Sequence, residues 1–180
     1  MLGIDIVDLK DPLIKDRDKR MLRLIQHGED RLLEHQNLYW LLWSAKEAVF
    51  KSQRKDEYFK PKTIQISLKR SSNSSFSFQS LAFDLEGHFE ITEHYILAVC
   101  AQRIKSVAFE IINDRSTVTS RDIRNSIVAF FGQHQRKVSV KSDHLGLPYL
   151  APTGDIISLS HHNHLGAFVY PKHLVDVKRN

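Results

Sequence analysis

The stretch W-L-L-W-S-A-K-E-A-V-F-K, residues 40–51, leaves this chain the fewest ways to fold. At about 100° per residue, Leu38, Leu42, Ala45 and Val49 fall in one narrow arc, the stripe of a helix that packs on a core. Trp40, Trp43 and Phe50 lie on the opposite side. A helix that is apolar nearly all round is buried on both faces, so the rest of the chain has to build structure on each side of it. Glu47 and Lys51 belong to the second face, one turn apart and next to Trp43. One reading is an ordinary i, i+4 ion pair that happens to lie beside two tryptophans. The other is a site in which Glu47 holds a cation and Lys51 meets an anion, which suits a ligand carrying phosphate and a divalent metal.

With 180 residues and 42% apolar content, the chain has enough core for one compact domain or two small lobes. No apolar run approaches the roughly 18 residues of a membrane span. The first ten residues lack the basic start and apolar run of a signal peptide, so the expectation is a cytoplasmic protein without a membrane partner. Cys100 is the only cysteine and sits in an apolar run, which excludes an intrachain disulfide and a thiolate metal cluster. A net charge of +5 favours an acidic partner: nucleic acid, a phosphorylated cofactor or an acidic protein. The basic residues are scattered and carry no fingerprint of a nucleic-acid-binding fold, so nucleic acid is not expected.

Leu2, Ile4 and Ile6 alternate with Gly3, Asp5 and Val7, a short strand buried on both faces with one carboxylate in its middle. Asp5 is either functional or a strand-end group that turns to solvent. Ile14, Met21, Leu22 and Ile25 recur at helical spacing up to Gly28, and Asp30 begins a second short helical stretch through Leu32 and Leu33. Residues 52–62 read as a polar loop ending at Pro61. Strands are expected at 64–68, at 81–85 before a Glu86-Gly87 turn, around Phe89 and Ile91, and at 95–101. A first lobe then closes near Arg103.

Val107, Phe109 and Ile111 open a second unit, followed by a helix capped by Thr119 and Asp122 and stopping at Gly132. Short strands follow at 137–140, 148–150, 156–160 and 165–170. Strand, helix, strands thus occurs twice, and the expectation is an α+β fold of two related lobes, residues 1–103 and 104–180. His161, His162 and His164 have the look of metal ligands, but a strand sends alternate side chains to opposite faces and no cysteine or nearby carboxylate completes a site. Alternatively Ser160 and His161 close a buried strand and present donors to an anion, or the run is a solvated turn.

G-I-D-I-V at residues 3–7 and W-S-A-K-E-A-V-F-K at residues 43–51 resemble the two signature motifs of the 4'-phosphopantetheinyl transferases. G-L-P-Y-L at 146–150 and I-S-L-S-H at 157–161, in the run I-I-S-L-S-H, are similar to the G-K-P and N-L-S-H segments of the larger, surfactin-synthetase-activating type. In that type those segments precede the G-x-D motif, whereas here they follow it. The resemblance therefore implies a circular permutation, with residues 1–103 matching the second half of the larger type and the remainder its first half. It implies two lobes that bury a cofactor between them, with the tryptophan face of the central helix toward the cleft.

Residue by residue, the resemblance implies that Asp5 and Glu47 bind magnesium and that Lys46 and Lys51, the lysines of the second motif, bind the cofactor. It implies that Ser160 and His161 hold the 3'-phosphate of coenzyme A, with Arg115 as a further phosphate ligand. The activity implied is transfer of the 4'-phosphopantetheine arm from coenzyme A to a serine of an acyl or peptidyl carrier protein, with Glu47 and Lys51 catalytic. Two lobes in one chain imply a monomer. Val7 stands where the larger type has another carboxylate, Leu147 replaces the lysine of G-K-P, and the loop after Lys51 lacks glycine. A non-catalytic relative that binds coenzyme A or a carrier protein is the alternative.

Overall fold

The computed structural model describes every residue except 15–18, 56, 71, 73, 74, 115 and 176–180. β1 (Leu2–Asp8) is buried over its whole length, as its apolar alternation on both faces requires. α1 (Lys19–Ile25) and α2 (Leu38–Gln53) follow, then β2 (Ser67–Arg70), β3 (Phe76–Ser80), β4 (Leu85–Ile91) and β5 (Tyr95–Ala101). These strands form an antiparallel sheet in the order β1-β5-β4-β3-β2. Leu41, Leu42, Ala45, Ala48 and Val49 of α2 are wholly buried against one face of it. The closest approach is at Gly3, where an added Cβ would sit 2.0 Å from the Ala48 carbonyl oxygen. Asp5 lies two residues further along the same face of the strand, so this contact sets how near its carboxylate comes to α2.

β6 (Val107–Asn113), α3 (Ser120–Gln133), β7 (Ser139–Ser142), β8 (Pro148–Ala151), β9 (Asp155–Ile156), β10 (Ser158–His162) and β11 (Leu165–Pro171) complete the chain. The Thr119 side chain and the Asp122 carboxylate cap α3 reciprocally, as their spacing predicts. β10, β11 and β6 form a second main sheet, and β7, β8 and β9 a small third one. The two main sheets pack face to face through Leu2, Ile4, Ile6, Leu97 and Val99 on one side and Leu165, Ala167 and Val169 on the other. α3 covers the outer face of the second sheet with Ile123, Ile127 and Phe131 against Phe168 and Tyr170. The connectivity is alike on both sides of the interface. β1 pairs with β5 and β5 with β4; β6 pairs with β11 and β11 with β10. The helices and the three antiparallel sheets make a mixed fold compatible with the α+β class, and no helix among the described residues is long and apolar enough to cross a membrane.

The free edge of β1 lies beside β10. Ile6 N–H donates to Ser160 Oγ at 3.4 Å, Asp8 N–H donates to His162 Nδ1 at 3.2 Å, and Asn163 Nδ2 donates to Asp8 Oδ2 at 3.0 Å. Side chains of one edge thus satisfy backbone and carboxylate groups of the other, which keeps buried polar groups paired where the sheets do not join.

Two local expectations are corrected. Residues 30–33 are not helical: Asp30 accepts from Ile66 N–H at 2.7 Å and His27 N–H at 2.8 Å, and Arg31 forms a parallel bridge with Ser67. Tertiary hydrogen bonds outweigh the local apolar spacing there. The turn expected at Glu86-Gly87 lies instead at Leu81–Phe83, a single 3-10 turn closed by Asp84 at φ 50°. Leu81 is 70% exposed, so its place in an apolar alternation reflects no core position. Gly87 sits inside β4 because the Phe78 ring occupies the space above it, 2.2 Å from where a Cβ would be.

Candidate functional site

Asp5, Glu47, Lys51 and Ser160 converge where α2, β1 and β10 meet. Lys51 Nζ donates to Asp5 Oδ1 at 2.9 Å and to Ser160 Oγ at 2.9 Å, and lies 3.0 Å from Glu47 Oε1. Ser160 Oγ in turn donates to Asp5 Oδ1 at 2.8 Å. Local sequence explains each placement. Alternation puts Asp5 on the α2 side of β1, helical spacing stacks Glu47 under Lys51, and β10 points Ser160 and His162 toward β1 while Leu159 faces α3. Asp5 is nearly enclosed, whereas the Glu47 and Lys51 side chains keep about a quarter of their surface open.

Burial pushes the Asp5 carboxyl up from 3.8 to about 6, with Glu47 adding to the rise and Lys51 and Ser160 opposing it. Burial also disfavours charge on Lys51, but Asp5 and Glu47 outweigh it and hold this pKa above the usual lysine value. Lys51 is therefore a fixed cation. Because the folded-state pKa of Asp5 is raised, the fold binds its proton more tightly than the unfolded chain does. Stability is lost as pH rises through that interval, and the loss is complete above the folded value. Asp5→Asn is expected to gain on the parent by roughly 2–3 kcal/mol between pH ~4 and pH ~7.5, measured by denaturant titration at each pH. A difference that does not change with pH would contradict a strained carboxylate.

His161 lies on the other side of β10, where its Nε2 is 3.2 Å from Ser120 Oγ at the first turn of α3. Partial burial, with the charges of Lys51 and His162, holds its pKa below the usual histidine value. Lys46 is not part of the cluster. Its ammonium is wholly buried and donates to Ile64 O at 2.7 Å and Pro61 O at 3.0 Å, while pairing with Asp30 Oδ2 at 2.7 Å. All three of its donors are thereby used, which leaves none for a phosphate. Lys46→Met is expected to cost about 3–5 kcal/mol of folding stability, because it leaves the Asp30 carboxylate buried without its cation. Thermal unfolding checks this, and a variant as stable as the parent would contradict the buried pair. Arg115 lies outside the described residues.

The tryptophan face of α2 is covered rather than open. Phe59, from the loop after the helix, lies 5.2 Å from the Trp43 ring and 5.4 Å from the Phe50 ring. Pattern reading missed two contributors. Arg54 Nη2 donates to Asp143 Oδ2 at 2.6 Å and Nη1 to Pro148 O at 3.2 Å, joining the end of α2 to the G-L-P turn. Asp143 also accepts from Leu145 and Leu147 N–H, both at 2.9 Å. An aspartate before a glycine-containing turn signals that local role, but nothing in the sequence pairs it with Arg54.

The oxygens that meet the Lys51 ammonium here belong to two carboxylates and a hydroxyl. This chemistry fits a hard divalent cation such as magnesium, which keeps several waters and takes only one or two protein carboxylates beside substrate phosphates. Among the described residues no group of three or more His, Cys, Asp or Glu converges on a metal position. No curated protein and no solved structure matches the chain. The model of one protein family, the 4'-phosphopantetheinyl transferase superfamily, matches residues 1–100, the part that carries β1, α2 and the strands up to β5. The chain belongs to the 4'-phosphopantetheinyl transferase superfamily.

Proposed function

We propose that this protein transfers the 4'-phosphopantetheine arm of coenzyme A to a serine of an acyl or peptidyl carrier protein, acting as a cytoplasmic monomer. The observation that carries the reading is the convergence of Asp5, Glu47 and Ser160 on the Lys51 ammonium, each within 3.0 Å of it, in a member of this superfamily. In the reaction the serine oxygen attacks the phosphorus that bears the pantetheine arm. A P–O bond to serine forms, the bond to the second phosphate breaks, and adenosine 3',5'-bisphosphate leaves with the electron pair. The serine proton goes to Glu47, directly or through a water. Lys51, held charged by its neighbours, stabilises the negative charge that develops on the leaving phosphate. Asp5 and Glu47 are the proposed magnesium ligands, and the ion, when bound, supplies charge neutralisation at the pyrophosphate.

The matching strand connectivity on the two sides of the interface supports two lobes of related build, residues 1–103 and 104–180, in permuted order. In that reading His161 takes the 3'-phosphate beside the N-terminus of α3, while Ser160 faces the Asp5 and Lys51 cluster on the other side of β10. His161→Ala is then expected to weaken coenzyme A roughly tenfold to a hundredfold, the worth of one bond to a charged group, while 3'-dephospho-coenzyme A binds as before. Calorimetric titration of both ligands separates the outcomes. Equal weakening of the two would remove His161 from the phosphate site.

The activity itself is tested by following release of adenosine 3',5'-bisphosphate by chromatography. It is expected only when coenzyme A, magnesium and an apo carrier protein are all present. Release without the carrier would instead mark a hydrolase.

A further inference from the structure

On the opposite edge of the sandwich from Ser160, a cavity of about 440 Å³ opens between β4 and β6. β6 is the outer strand of its sheet, whereas the first sheet continues past β4 to β3 and β2, which leaves a step between the two. His88 stands on the inner face of that step, opposite Val99 of the inter-sheet core. A one-turn 3-10 helix at Ile104–Ser106 turns Ile104 inward and leaves Lys105 exposed, and a second turn at Lys172–Leu174 brings Lys172 to the same rim. The floor is apolar: Ile104, Val107, Ala108 and Phe109, with the Phe109 ring 5.9 Å from that of His88.

The electrostatics of this cavity are one-sided. Among the described residues no carboxylate lines it, and neither Lys105 nor Lys172 has a hydrogen bond or ion pair. Glu90, two residues along β4, accepts the Tyr95 hydroxyl. Burial lowers the His88 pKa against the pull of Glu90, and Lys172 lowers it further, so the ring is neutral near pH 7 and keeps one N–H donor. Two ammonium groups above an apolar floor, with no ion-pair partner among the described residues, attract an anion with an apolar body, and the volume falls in the range of about 300–1,000 Å³ typical of small-molecule sites.

We infer that this cavity is a second ligand site, for a small amphipathic carboxylate whose charge lies between Lys105 and Lys172 and whose alkyl or aryl body covers Phe109. Its walls come from β4, from the connection between residues 1–103 and 104–180, and from the end of β11. A bound acid therefore bridges the two parts of the chain. The site is separate from the Asp5 cluster and does not depend on the transfer reaction.

Octanoate is the probe, titrated into the full-length protein and followed by amide chemical shifts. Saturable shifts are expected around residues 88, 104–109 and 172. Acetate, which lacks the body, and 1-octanol, which lacks the charge, are expected to bind at least about tenfold more weakly. The double variant Lys105→Gln, Lys172→Gln changes only exposed side chains, and its affinity for octanoate is expected to fall roughly tenfold with the rest of the spectrum unchanged. Absence of saturation, shifts centred on Asp5 and Lys51, equal binding of octanol, or undiminished binding by the double variant would each overturn the site.

Discussion

Glu47→Gln is expected to lower phosphopantetheine transfer by at least about a hundredfold while leaving the fold intact, since one substitution removes a proposed metal ligand and the proposed base. The amide matches the carboxylate in size, and α2 is held by buried leucines and alanines on its other side. Lys51 retains Asp5 and Ser160 as partners in the variant, so it remains a cation. Steady-state transfer rates at saturating coenzyme A, with circular dichroism as the folding control, measure the effect. A folded variant with near-parental turnover would take Glu47 out of the mechanism.

The second large effect is structural. In Gly3→Ala the new methyl carbon would meet the Ala48 carbonyl oxygen at 2.0 Å, and Ser52 N at 3.0 Å. Backbone atoms inside a helix have no rotamer by which to step aside, so α2 must lift from β1 as a unit. Overpacking of this kind costs about 3 kcal/mol or more, and for a chain of this size that lowers Tm by roughly 6–12 °C. The displacement also carries Glu47 and Lys51 away from Asp5. A misplacement of about 1 Å is enough to reduce catalysis about a hundredfold. Calorimetry and transfer rates are expected to fall together, whereas an unchanged Tm would mean that the helix does not rest on this glycine.

Some of this was legible in the sequence because it is local. The two-sided apolar pattern of residues 38–50 defines α2, the alternation of residues 2–7 defines β1, and Thr119 with Asp122 marks the start of α3. Long-range chemistry was not legible in this way. Asp30 reads as a helix start until Ile66 N–H and the Lys46 ammonium are seen to claim its carboxylate. Gly87 reads as a turn until the Phe78 ring is found above it. Ser160 meets Asp5 across 155 positions because the free edge of β1 lies beside β10, which no periodicity reports. Motif resemblance assigned Lys46 and Lys51 alike to the cofactor, and burial separates them. Lys51 keeps an open side next to two carboxylates, while Lys46 spends every donor inside the core.

The account stands most directly on the mass of a carrier protein. Apo acyl carrier protein incubated with this protein, coenzyme A and magnesium is expected to gain the mass of one 4'-phosphopantetheine arm. A carrier whose acceptor serine is replaced by alanine is expected to gain nothing. An unmodified carrier after prolonged incubation, with coenzyme A bound but intact, would contradict transfer and leave a binding protein in its place.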